Sequence, residues 1–302
     1  MQRESAWRSR MGVPAFAGGF LYFLSAIIVT ATLNSAPTVG LLQGLTPAIR
    51  GVANPAISPR AAEVKFISHH SLALIAGSLV KSVSLIVLML LVLLLVEATR
   101  FRRPETWSAA RPLVLVGGIV LAVVNLAHQV VGSIQAHNFA VGHDFSSHAV
   151  EQALTKGAFN VGSQYVDLLA ALALTAGIII ISINAIRVGL LTRWLGVIGI
   201  FAGLLIFLPI GGATLEIIPA FWMVGMGVLY MGRWPNGDPP AWPSGEAHSW
   251  PTQAERRAER EGDPGGGGSS GKGKPALAAG GDAGPAPAPM GGGSRKRGRK
   301  RR

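Results

Sequence analysis

Cysteine is absent from this chain of 302 residues, which excludes disulfides, thiolate zinc sites, iron–sulfur clusters and cysteine nucleophiles and leaves the redox compartment open. Charge is scarce too: only 14% of the residues are Asp, Glu, Lys or Arg, too few for the surface of a soluble domain of this length. Outside the Gly-rich run 265–273 no G-x-S-x-G, H-E-x-x-H, nucleotide fingerprint or pair of catalytic carboxylates occurs, so no enzyme class and no cofactor is signalled. The run GGGSSGKG, Gly266–Gly273, fits the first seven positions of a phosphate-binding loop. It ends in Gly where Ser or Thr would reach magnesium, has no strand before it or helix after it, and reads as linker.

Apolar sequence is abundant instead. Mean hydropathy is +0.41, and six apolar stretches, at 13–34, 77–97, 112–133, 165–186, 194–212 and 215–231, each approach the roughly 20 residues that carry a helix across about 30 Å of hydrocarbon. The fold class is therefore all-α: a six-helix transmembrane bundle over 13–232, preceded by a short segment 1–12 and followed by a tail 233–302. The first stretch exceeds the length of a signal-peptide core, so it reads as a retained span even though VTA, Val29–Ala31, is a tolerable cleavage site.

The net charge of +12 divides evenly, with 14 basic and 8 acidic side chains in 1–232 and 13 and 7 in 233–302. Within the first part the cations cluster in alternate connections. Arg3, Arg8 and Arg10 precede the first stretch; Arg100, Arg102, Arg103 and Arg111 lie between the second and third; Arg187 and Arg193 lie between the fourth and fifth; Arg233 follows the sixth. Cytoplasmic loops carry this excess, so both termini are expected inside, with Trp107, Trp194 and Trp234 at the inner boundary. On the other side, a helical pattern starting at Ala61 and running to Arg100 would be about 60 Å long and must project, lie flat or bend near Gly77.

Beyond Trp234 the chain turns Pro- and then Gly-rich, with too little apolar surface to offset chain entropy, so 233–302 is expected to be disordered. It ends in SRKRGRKRR, whose Arg295, Lys296, Arg297, Arg299, Lys300, Arg301 and Arg302 form an electrostatic arm suited to anionic lipid headgroups or to an acidic or nucleic-acid partner.

Two groups of residues carry candidate chemistry. Six of the seven histidines fall on or near the outer side. Among these, His137, His143 and His148 with Asp144 and Glu151 offer imidazole and carboxylate donors to zinc or another divalent metal, although the spacing matches no zinc signature. The same residues also fit an ordinary polar loop or a pH-responsive one. The second group is intramembrane: Lys81, Asn125, His128, Asp167 and Glu216. Polar groups in a bilayer are costly, and these fall at one level near the outer mouth, either as a small-solute or proton site or as hydrogen bonds and ion pairs holding the bundle together. Lys81 has the alternative of snorkelling to the interface.

The segment VGLLTRWLGVIGIFAGLLIFLP, Val188–Pro209, followed by FWMVGMGVLYMGRWP, resembles a family of uncharacterised bacterial multi-pass membrane proteins. The likeness is carried by Gly189, Arg193, Trp194, Leu195, Gly196 and Gly203, and is specific over about 188–235. It implies about six helices and a location in the bacterial inner membrane, and assigns no functional residue. Read from the residues alone, Gly189 ends one helix without strain and Arg187, Arg193 and Trp194 fix topology.

The leading expectation is a membrane scaffold or accessory protein with a polybasic cytoplasmic arm. The alternatives are a transporter component using the polar outer mouth and a membrane enzyme with a His-rich outer metal site.

Overall fold

The computed structural model describes residues 2–250 other than 41, 44–45, 47–48, 52–56, 143, 157, 209–214, 236 and 249. Among these residues every regular element is helical. Helix α1 spans Gln2–Asn34, α2 Ala61–His69, α3 Ser71–Arg102, α4 Ala110–Val141, α5 Ser147–Glu151, α6 Ala158–Arg187, α7 Arg193–Phe207, α8 Ile217–Tyr230 and α9 Ala241–Ser244. A π-type turn, Gln152–Lys156, follows α5.

The helices α1, α3, α4 and α6 lie in segments long and apolar enough to cross a membrane. The other two apolar helices, α7 and α8, have 15 and 14 residues and reach only about 22 Å at 1.5 Å per residue. Six helices close a ring: α1 packs on α3 and α8, α4 on α3 and α6, and α7 on α6 and α8, while α3 also meets α6 across the middle. Leu85, Leu88, Leu91, Leu95, Leu174, Ile178 and Trp222 fill the core, fully buried. The outer faces are apolar as well, with Phe20, Leu79, Val123, Leu172, Phe201 and Phe221 exposed. An apolar surface around an apolar core is what a lipid solvent selects, because helix association there relies on close packing rather than on burial from water.

That packing is visible at Gly117. A Cβ on Gly117 would lie 2.6 Å from the Leu174 backbone N and 2.9 Å from the Ala170 carbonyl, so α4 and α6 approach backbone to backbone. Gly132, on the same helix, faces open space. Gly117→Ala should therefore lower stability by about 1–3 kcal/mol, whereas Gly132→Ala should raise it by up to about 1 kcal/mol through helix propensity. Thermal melts of the two variants in one detergent check the opposite signs.

Four sequence expectations change. The helix over 61–100 breaks at His70, not near Gly77: the His70 backbone N–H and ring Nδ1 both donate to the Phe66 carbonyl, at 3.0 Å each, and the ring stacks on Phe66, closing α2 before α3 starts at Ser71. The segment 1–12 is helical from Gln2, because Glu4 pairs with Arg102 at 2.6 Å and Arg8 with Asp238 at 2.8 Å. The two last stretches form helices too short for a straight crossing.

The fourth change concerns the tail, whose first part is folded. The described residues between 234 and 250 strap over the helix ends: the indole Nε1 of Trp242 donates to Leu190 O at 2.8 Å and that of Trp250 to Leu191 O at 3.0 Å. Trp234 and Trp242 pack against the core, and Arg8 and Arg102 stand over the Trp242 ring at 4.6 and 5.6 Å. Aromatic burial offsets the entropy that the Pro-rich stretch alone leaves uncompensated. The rest of the tail, including its basic arm, lies outside the described residues.

The turn between α6 and α7 forms as its sequence predicts. Gly189 adopts φ +75, where a Cβ would be strained, and Leu190 N–H returns to Ala185 O at 2.9 Å. The Thr192 hydroxyl then caps α7 by accepting from Leu195 N–H at 3.2 Å.

Candidate functional site

A cavity of about 290 Å³ lies where α7 ends and α8 begins. Every helix of the ring lines it: Tyr22 from α1, Lys81 and Leu85 from α3, Leu121 and Asn125 from α4, and Gln164, Asp167, Leu168 and Ala171 from α6. Leu205 to Leu208 at the end of α7, then Leu215, Glu216 and Pro219 at the start of α8, complete the wall.

Lys81 sits well inside α3, about 15 Å beyond its first residue at 1.5 Å per residue. Its Nζ meets Glu216 Oε1 at 2.7 Å, and both side chains retain part of their exposure, 29% and 27%. The ammonium also lies 5.7 Å from the Tyr22 ring centroid. The other carboxylate oxygen, Glu216 Oε2, is buried with no hydrogen-bond partner among the described residues. Asp167, placed well inside α6, forms no hydrogen bond or ion pair among them; His128 and Lys81 are the basic side chains that lie near it.

Asn125 locks α3 to α4. Its Nδ2 donates to Ser82 Oγ and Ser78 Oγ at 2.9 Å each and approaches Ser78 O at 3.1 Å, while the Ser82 hydroxyl donates to Ala122 O at 2.8 Å. His128 is one step away from the cavity. The Ser163 hydroxyl donates to Asn160 O at 3.1 Å, so it accepts from His128 Nδ1–H at 3.0 Å.

Four of the five intramembrane candidates, Lys81, Asn125, Asp167 and Glu216, thus line one cavity, and His128 supports its wall. Sequence reasoning missed Tyr22 and Gln164. Tyr22 reads as one more apolar residue of a span, and Gln164 falls just before the stretch assigned to its helix.

The metal candidates do not converge. Among the described residues no three His, Asp or Glu side chains are placed to hold an ion, and His143 lies outside them. His137 belongs to α4 rather than to a loop, and His137, Asp144 and His148 are exposed. Asp144 has a structural role: its Oδ1 accepts from Ser146 N–H at 2.9 Å, ahead of the Ser146 cap of α5. That backbone bond, then the Ser146 hydroxyl and the field of His148, hold the Asp144 carboxyl below its usual range. At the end of α2, His69 Nδ1 donates to Lys65 O at 2.7 Å, so both rings of the His69–His70 pair serve their own helix turn.

Searches against protein-family models, curated proteins and solved structures find no match to this chain.

Proposed function

We propose that the protein is a multi-pass membrane protein that binds a small polar solute in the cavity between α1, α3, α4, α6, α7 and α8, as a component of a transporter. The observation that carries this reading is the Lys81–Glu216 pair facing a second carboxylate, Asp167, inside a bundle of apolar helices. Ionised groups at membrane depth are expensive, and replacing a buried pair by apolar residues is often neutral or stabilising. Packing alone gives no reason to keep three of them around an open volume.

The short helices support the same conclusion. Non-helical backbone at membrane depth is tolerated where it lines a cavity, and transporter sites form where discontinuous helices end at that depth. The ends of α7 and α8 meet at this one. In the proposed topology α1, α3, α4 and α6 span the bilayer, α7 and α8 enter as a short pair, and the Arg-rich ends are cytoplasmic. The cavity then lies toward the outer half. The scaffold reading rests on the basic arm and draws no support from the cavity.

Thermal shift of the full-length protein in nanodiscs, against cationic, anionic, zwitterionic and neutral small solutes, tests the site. At one hundred times its dissociation constant a true ligand should stabilise the protein by about 2.7 kcal/mol. Ala171→Leu, which extends a side chain into the cavity, should abolish that shift. A wild-type protein that no solute stabilises would remove the proposal.

A further inference from the structure

We infer that the solute is a small amphipathic cation, a primary alkylammonium held by Asp167 and Glu216; this rests on the cavity being a solute site. The charge balance is the first argument. Two carboxylates and one ammonium line the cavity, and the ammonium of Lys81 is already engaged by Glu216 Oε1 at 2.7 Å. Among the charged groups of the lining the unmet demand is on the acceptor side: Glu216 Oε2 is buried without a partner, and among the described residues Asp167 has no bonded partner. A primary ammonium brings three donors and one positive charge, which matches that demand. The Tyr22 ring, 5.7 Å from the Lys81 ammonium, adds an aromatic group to a cationic site.

The other ligand classes fit worse. An anion would face two carboxylates with the lone cavity cation among the described residues taken, and a zwitterion would have to strip Lys81 from Glu216. A bare metal ion is too small for about 290 Å³, given that a water molecule occupies about 30 Å³, and no three-ligand group stands there among the described residues. Apart from Gln164 the remaining wall is apolar, with Leu85, Leu121, Leu168 and Leu215 placed to cover an alkyl chain. Each added methylene should therefore tighten binding about fourfold until the cavity is full.

The test uses the full-length protein in phosphatidylcholine nanodiscs and titrates methyl-, propyl- and butylammonium, with butanol, butyrate, sodium and potassium as comparisons. Methyl-, propyl- and butylammonium should bind in the order of their length, the four comparison compounds should not compete, and Asp167→Asn should weaken butylammonium at least tenfold. Repeating the measurement with phosphatidylethanolamine in the disc separates a free amine from a lipid headgroup of the same chemistry: stabilisation without added amine identifies the headgroup as the source. Binding of butyrate, or of butanol as tightly as butylammonium, would overturn the cationic assignment and leave the solute cavity standing. If neither these compounds nor the broader solute panel binds the unaltered chain, the cavity reading itself fails. The comparison of amine, alcohol and acid is made on the wild-type protein, so it decides the matter even where Asp167→Asn does not fold.

Discussion

Replacing Arg102 by alanine is expected to remove about 3–5 kcal/mol of stability, the range for breaking a buried ion pair from one side. The Arg102 side chain is 1% exposed and holds Glu4 Oε1 at 2.6 Å. It also donates to Ala98 O at 2.9 Å and, from Nε and Nη2, to Ala241 O at 3.1 and 2.7 Å. One guanidinium thereby joins the start of α1, the end of α3 and the strap that carries Trp242. Alanine leaves the Glu4 carboxylate and the Ala241 carbonyl without it. Lysine should restore little, since one ammonium does not reproduce the fork. The measurement is a melting curve of each variant together with limited proteolysis, in which the strap should be cut earlier than the helices. An Arg102→Ala protein that melts with the wild type and resists protease equally would show that the strap is held by its tryptophans alone.

The second large effect is expected at Lys81. Lys81→Met leaves Glu216 and Asp167 facing each other across the cavity with no lining cation, and stability should fall by about 3 kcal/mol, the low end of the range for a broken buried pair because both partners retain some exposure. The double change Lys81→Met with Glu216→Gln should recover most of the loss, giving a coupling energy well above what independent sites show. The single variant also offers a functional readout. With Lys81 gone both oxygens of Glu216 are open, so methylammonium added to the Lys81→Met protein should raise its melting temperature more than it does for the wild type. Equal losses in the single and double variants would mean that the pair has no energetic coupling.

The apolar frame was legible because spans announce themselves by length: each of the six stretches holds a helix, and four of these are long enough to cross a membrane. The ends were not. Helix α1 continues to Gln2 through contacts with residues near 102 and 238, which no local pattern reveals. The break at His70 has neither Gly nor Pro to signal it and depends on a ring bond to Phe66. Of the site, Lys81, Asn125, Asp167 and Glu216 stood out as polar residues in apolar surroundings, a signal with a direct energetic cause. Tyr22 carries no such signal, since a phenol in an apolar helix is ordinary. The strap was misread because Pro and Gly were weighed above three tryptophans, and the burial of those indoles decides the outcome.

The central claim, a solute-accessible and net negative cavity inside the bundle, is tested most directly by cysteine labelling, for which the cysteine-free chain provides a silent background. Ala171 lines the cavity, whereas its neighbour Leu172 is 47% exposed on the outer face. In native membranes, Ala171→Cys should react with a small cationic methanethiosulfonate, react more slowly with the anionic analogue, and be protected by butylammonium. Leu172→Cys should stay unlabelled by both. An Ala171→Cys thiol that neither reagent reaches, or that both reach at the same rate without protection, would contradict the account.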